Sequence, residues 1–219
     1  KHFQLRPLYA GSGLAILIAL FQQLSIKELT LSSGALREGL LYEMLPNSHK
    51  TNIRQRTISS LSQRFHIDQL HANNVKRQIK TIFSQLKSIW SLPDENALAL
   101  LLASADLHEI GLLLAYKYHQ QHSAYILNHA DLAGFSQSDR QLLVSFVSLY
   151  KGDIKLAIIE QQSAIDLETA KKLLIILRLA IKLCHRRKDD DWPNYRVSLN
   201  DHVLQLHLPQ AWMIEHTLI

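Results

Sequence analysis

Histidines are the first residues here that could do chemistry. The chain of 219 residues holds twelve. His108-Glu109-Ile110-Gly111 stands near the end of an apolar helical run, followed by His122, His129 and Asp131. Imidazoles and carboxylates so spaced are the donors a divalent ion requires, because such ions need several of them to converge. An upstream helical histidine would have to complete the set. In the preceding helix that register falls on Ala72, with His71 beside it. A plainer reading has His108 and Glu109 satisfying one another or nearby backbone. A second stretch is Leu31-Ser32-Ser33-Gly34-Ala35-Leu36-Arg37-Glu38-Gly39. A tight glycine turn between strand and helix aims backbone N–H groups and the positive helix end at an anion, which makes Gly34, Ala35 and Arg37 candidate phosphate ligands. There is no Gly-x-Ser-x-Gly elbow, no Walker loop and no carboxylate pair spaced for acid/base work. The single Cys184 excludes an internal disulfide and a cysteine zinc site, and it reads as a core residue on an apolar helix face in a reducing, cytoplasmic setting.

The elements that position these residues follow from composition and periodicity. Seven glycines and five prolines are few, and 47% hydrophobic with 20% charged residues describes a globular, helix-rich chain. Residues 12–24 have helical spacing, 26–31 read as a short strand and 32–34 as a turn. A helix over 35–45 is stopped by Pro46 and Asn47. The stretch 7–23 falls short of a membrane span and reads as a buried helix. A lone strand leaves its edges unsatisfied, so the first 45 residues look orphaned. After a polar linker at 47–52, the pattern is helical to about residue 189. Asp68 caps a helix in which Leu70, Val75, Ile79, Ile82, Phe83, Leu86 and Trp90 line one side. Pro93 and Asp94 open the next, over 95–110, ending at Gly111. Ser136 or Ser138 caps a helix through Tyr150, and Asp166 caps another running to Arg187. Past Trp192-Pro193 the period becomes two, which predicts a hairpin with Val197 and Leu199 on one strand and Leu204, Leu206 and Leu208 on the other. Its apolar face is expected to pack on the long helix before it.

Charge is banded. From Lys50 to Lys87 there are eight lysines and arginines against Asp68 alone, and from Arg140 to Lys188 ten against four acids. The block between them and the tail from Asp189 are net acidic, so the surplus of +5 belongs to two helical regions that could share one polyanion-binding face. Solvated faces that never meet are the competing reading. Arg186-Arg187-Lys188 running into Asp189-Asp190-Asp191 also suits a helix C-terminus.

Ser33-Gly34-Ala35-Leu36-Arg37-Glu38-Gly39-Leu40-Leu41-Tyr42-Glu43-Met44 resembles the segment closing the second domain of the exopolyphosphatase/guanosine pentaphosphate phosphohydrolase (Ppx/GppA) family. Arg54-x-Arg56-Thr57, Leu107-His108-Glu109-Ile110-Gly111, His122-Ser123-Ala124-Tyr125-Ile126-Leu127 and Asp131-Leu132-x-Gly134-Phe135 follow in the order of its helical third domain. Leu177-Arg178-Leu179-Ala180, Arg186-Arg187-Lys188-Asp189-Asp190 and Leu208-Pro209-Gln210-x-Trp212 are more similar to the guanosine pentaphosphatase branch. So is Leu149-Tyr150-Lys151, where many exopolyphosphatases carry an Arg-Tyr-His-like motif.

The resemblance implies a mainly α fold: an HD-like helical bundle over 47–165, preceded by a remnant of the second actin-like (ribonuclease H-like) α/β domain over 1–46. A small helix-plus-β-hairpin appendage follows over 166–219. It implies an enzyme that removes terminal phosphate from guanosine pentaphosphate or inorganic polyphosphate, with magnesium and a carboxylate base upstream of this portion. On that expectation the chain is a fragment at both ends, without a catalytic residue, metal or cofactor of its own. It also implies a homodimer and a basic surface that guides the substrate, to which the charge bands assign Arg54, Arg56, Lys76, Arg77, Arg186 and Arg187. His108, Glu109 and His122 would then mark a degenerate HD pocket. The alternative is a stand-alone HD-type metal-dependent phosphohydrolase centred on His108, Glu109, His122 and His129. A nucleic-acid binder is disfavoured because no groove-reading motif or stacking platform is present, and a membrane partner because no span is.

Overall fold

The computed structural model describes residues 10–25, 53–92, 95–187, 192–201 and 203–215. The chain divides into two compact units, Lys1–Leu45 and Pro46–Ile219. In the first, α1 (Ala10–Leu24) forms from the apolar stretch, but Leu14, Ile16 and Leu20 are exposed. The expectation of a buried helix is thereby corrected. An apolar helix face is buried only where another element meets it, and α1 is the one element described in its unit. The strand expected at 26–31 and the turn and helix expected through residue 45, with Gly34, Ala35 and Arg37, lie outside the described residues. So does the acidic run 189–191.

The second unit is a helical bundle with a hairpin. Its elements run α2 (Ile53–Arg64), α3 (Gln69–Trp90), α4 (Glu95–Leu107), a 3₁₀ turn (Ile110–Leu113), α5 (His119–His129), α6 (Gln137–Leu149), α7 (Leu156–Ile159) and α8 (Leu167–Leu183). Then come β1 (Arg196–Asn200), β2 (Val203–His207) and α9 (Gln210–Glu215). Local chemistry sets the helix starts. The Asp68 carboxylate accepts from the His71 amide at 3.0 Å, and Asp166 from the Thr169 amide at 2.9 Å. Ser136 and Asp139 form a reciprocal capping box at the head of α6. Helix α4 stops at Leu107, short of the expected 110, because His108 and Glu109 leave the helix and the chain tightens into the 3₁₀ turn.

Along α3, Val75, Ile79, Ile82 and Leu86 fall at intervals of four, three and four and are fully buried. That single stripe packs on α4 and α8. Leu70, expected on the same stripe, is exposed, because the buried stripe continues back from Val75 to Ala72 and His71, and Leu70, the second residue of the helix, is turned away from it. The main core joins this stripe to Leu100 of α4, Phe146 of α6, and Leu173 and Leu177 of α8. A second cluster of Ile58, Leu61, Leu107, Ile110, Leu127 and Val147 ties α2 and α5 to the bundle. Burying each such side chain contributes about 1.5–3 kcal/mol. Cys184 lies in the core, where burial pushes its thiol up to about 12, so it stays protonated.

The antiparallel hairpin pairs Val197 with Leu206 and Leu199 with Leu204. It docks on α3 rather than on the helix preceding it. Gln85 decides this: its side chain accepts from the Val197 amide at 2.6 Å and donates to the Tyr195 carbonyl at 3.1 Å. The Tyr195 hydroxyl adds a bond to Gln78 at 2.6 Å. An apolar stripe shows that a strand has an inner face, but polar partners select the helix that receives it.

Candidate functional site

Two concave regions gather several of the charged residues of the second unit. The first is a cavity of about 640 Å³ along α8, closed by the 3₁₀ turn, the start of α5 and the 150–154 segment. His71 enters it from the first turn of α3, and Glu109 from the break after α4. Arg187 arrives from beyond the end of α8 and clamps both helix ends, pairing with the Glu109 carboxylate and lying 3.2 Å from Asp68. His71 Nε2 is 4.0 Å from the same Glu109 carboxylate.

Behind this pair lies the buried ring of His108, 5.6 Å from the His71 ring and edge-on to Tyr150. Its Nδ1 faces the Ala105 carbonyl at 2.8 Å. A carbonyl only accepts, so Nδ1 carries the proton and Nε2 presents a lone pair, for which no hydrogen-bond partner is present among the described residues. Burial pushes His108 down to about 3, so it is neutral throughout the physiological range. The same logic applies to His119, whose Nδ1 donates to the Tyr116 carbonyl at 2.8 Å, leaving Nε2 to accept from the Tyr150 hydroxyl. Burial lowers His71 and His119 as well and raises Tyr150.

His71, His108 and Glu109 form one group whose donor atoms lie within 4.8 Å of one another. Two neutral imidazoles and a carboxylate have the chemistry of a transition-metal site, but Arg187 already supplies the positive charge that Glu109 requires. A divalent ion would have to displace a guanidinium held by two carboxylates. Magnesium, which takes oxygen ligands, fits still less well.

The second region is a groove of about 520 Å³ between α2, α3 and α4, lined by Arg54, Lys76, Arg77 and Lys80, with Asp106 as its acid. Two of these cations are engaged. Arg54 donates to the Gly134 carbonyl, Asn96 and Asp139 at 2.7–2.8 Å and lies over the Phe135 ring. Lys76 is 2.6 Å from Asp106, whose carboxyl is raised by burial and held back by that lysine. Arg77 and Lys80 are exposed on the next turns of α3, and neither has a carboxylate partner among the described residues.

The six cations singled out from the sequence are therefore divided. Arg54, Lys76 and Arg77 share the groove, and Arg187 belongs to the cavity. Arg56 and Arg186 are half-buried and line neither. Of the expected pocket residues, His108 and Glu109 come together, whereas His122 is half-buried on α5 outside the group. His71 takes the third place and His119 the aromatic contact. His129 donates to the Tyr125 carbonyl, and Asp131 is exposed. Sequence reasoning passed over His71 in favour of the adjacent register. One position rotates a helical side chain by about 100°, and only the neighbouring elements say which position faces the cavity.

Comparison with known proteins places these features. The family model described as "Ppx/GppA phosphatase, domain III" matches residues 53–219, and the one described as "Ppx/GppA phosphatase family" matches residues 4–48. A protein of Pseudoalteromonas translucida named guanosine-5'-triphosphate,3'-diphosphate pyrophosphatase is 41% identical over 214 residues, 98% of this chain and 43% of the relative. Proteins of the same name from Aeromonas salmonicida and Photobacterium profundum are 40% identical over 207 residues and 38% over 213. They are covered to 94% and 97% of this chain and to 42% of their own length. The chain thus spans under half the length of the curated relatives it matches. Across the helical bundle and the hairpin alike, it belongs to the Ppx/GppA phosphatase family.

Proposed function

We propose that this chain serves a phosphoanhydride hydrolase that removes the terminal phosphate of guanosine pentaphosphate or of inorganic polyphosphate. Its part is to guide the polyanion and to support a homodimer, without hydrolysing alone. The names of the relatives support the substrate. The observation that carries the guiding role is the groove in which Arg54, Lys76, Arg77 and Lys80 face a single acid. Anchored Arg54 and Lys76 shape its wall, while Arg77 and Lys80 are the cations available to a phosphate chain. In this reading residues 1–46 are the remnant of an actin-like domain, 47–165 the HD-like bundle and 166–219 the helix-and-hairpin domain of a cytoplasmic enzyme. Its magnesium and catalytic carboxylate are supplied outside this chain. A stand-alone metal-dependent hydrolase at His71, His108 and Glu109 is the weaker reading, because Arg187 takes the place of the cation.

Titration of the chain with long-chain polyphosphate at low and at physiological salt tests the guiding role. Binding should weaken steeply with salt and by about tenfold in an Arg77→Ala, Lys80→Ala double variant, as expected for screened ion pairing. Salt-insensitive binding, or binding indifferent to the double variant, overturns the groove. Phosphate release by the chain alone overturns the division of labour.

A further inference from the structure

The cavity along α8 has no task in that reading. We infer that it binds a nucleoside phosphate, with the base on its apolar wall and the phosphate among Lys182, His185 and Arg187. The proposal does not depend on the groove, and either can fail without the other.

The lining is two-sided in a way that selects this chemistry. One face of α8 contributes Ile175, Arg178, Leu179, Lys182 and, just past its end, His185. The ten steps from Ile175 to His185 extend roughly 15 Å at helical rise, long enough for a planar base, a sugar and a phosphate in line. The lining also includes the apolar Leu112, Ile154 and Leu204, from the 3₁₀ turn, the 150–154 segment and β2. The volume lies within the range of sites for small organic ligands. A bare inorganic anion would leave this apolar wall wet, and a purely apolar ligand would leave the basic groups without a partner.

Charge points the same way. The lining has Lys151, Arg178, Lys182, His185 and Arg187 against the single acid Glu109, which Arg187 already satisfies. Arg178 is held by the Leu149 and Gly152 carbonyls, at 2.5 and 2.7 Å. Lys151 and Lys182 have no carboxylate partner among the described residues. His71, 5% exposed, lines the cavity at its clamped end beside Glu109. Tyr116, also in the lining, is 79% exposed, with its ring 5.8 Å from that of His119 and the Lys151 ammonium 5.9 Å from its centroid, so an aromatic ring and a cation stand together there.

Calorimetric titration of the full chain with GMP, guanosine and inorganic phosphate tests this. Expected are saturable one-to-one binding of GMP, and affinities for guanosine and for phosphate each at least about tenfold weaker. Lys182→Ala should weaken GMP binding by about tenfold and Tyr116→Ala by severalfold. Both side chains are exposed, so the fold is retained and circular dichroism verifies it. Arg77→Ala, in the groove, should leave GMP binding unchanged. The inference is overturned if GMP does not bind, or if inorganic phosphate or guanosine binds as tightly as GMP. It is equally overturned if Lys182→Ala binds GMP as well as the unsubstituted chain, or if Arg77→Ala removes the binding.

Discussion

Gly111 is where the backbone of the site comes closest to its support, and Gly111→Ala makes that proximity measurable. The 3₁₀ turn presses on the first turns of α5. A methyl group on Gly111 would lie 2.5 Å from the Ser123 amide nitrogen, 2.8 Å from its Oγ, and in direct conflict with the His119 carbonyl oxygen. Two of these obstacles are helix backbone, so no rotamer change relieves them, and α5 must retreat by about 1 Å to restore ordinary contact. The same retreat loosens a buried relay in which the Gly111 amide donates to Ser123 Oγ at 2.8 Å and Ser123 donates to the His108 carbonyl at 2.9 Å. Overpacking of this kind costs about 1–3 kcal/mol and each weakened bond about 1 kcal/mol, giving a loss of about 4 kcal/mol. Urea unfolding followed by circular dichroism reads it, and at roughly 2–4 °C per kcal/mol the melting point should fall by about 8–16 °C. Gly152→Ala is the control. Nothing lies within 4 Å of its Cβ position, and only its φ of +79° resists a side chain, at a cost of about 1 kcal/mol. Should Gly111→Ala lose no more than Gly152→Ala, the close approach is not what locks α5 to the site.

Two further perturbations probe the charges. His108 is held neutral by burial, at about 3 against an ordinary 6.5, so the unfolded chain takes up a proton there that the folded one refuses. The stability it contributes is complete above about pH 6.5 and falls as the pH drops toward 3. Between pH 7.5 and 5.0 the loss is about 2 kcal/mol, with His71 and His119 adding in the same direction. His108→Gln should unfold in urea with a visibly smaller difference between these two pH values; an unchanged difference rejects the assignment. Arg54→Ala removes three hydrogen bonds and leaves Asp139, 8% exposed, without its guanidinium. It should cost about 2–3 kcal/mol in the same assay, with Arg54→Lys recovering only part of it because an ammonium cannot match the fork. A loss below about 0.5 kcal/mol, the usual size for an exposed position, would mean that Arg54 is not a clamp.

Much of this protein is written in neighbouring residues. Asp68, Ser136 and Asp166 announce helix starts because a cap acts within three residues of itself. The stripe from Val75 to Leu86 announces a buried face because helical pitch repeats every few residues. The hairpin is legible for the same reason, as is the core placement of Cys184. The site is not legible in this way. Arg187 meets partners 119 and 78 positions earlier in the chain. His71 rather than Ala72, and His119 rather than His122, face the cavity because of where α3 and α5 begin and what they lean on. The same packing separates the basic residues into a groove and a cavity and sends the hairpin to Gln85 of α3. Local propensities act over a turn or two, whereas a binding site is assembled by the angles at which whole elements meet, and those are set by the packing of the entire core.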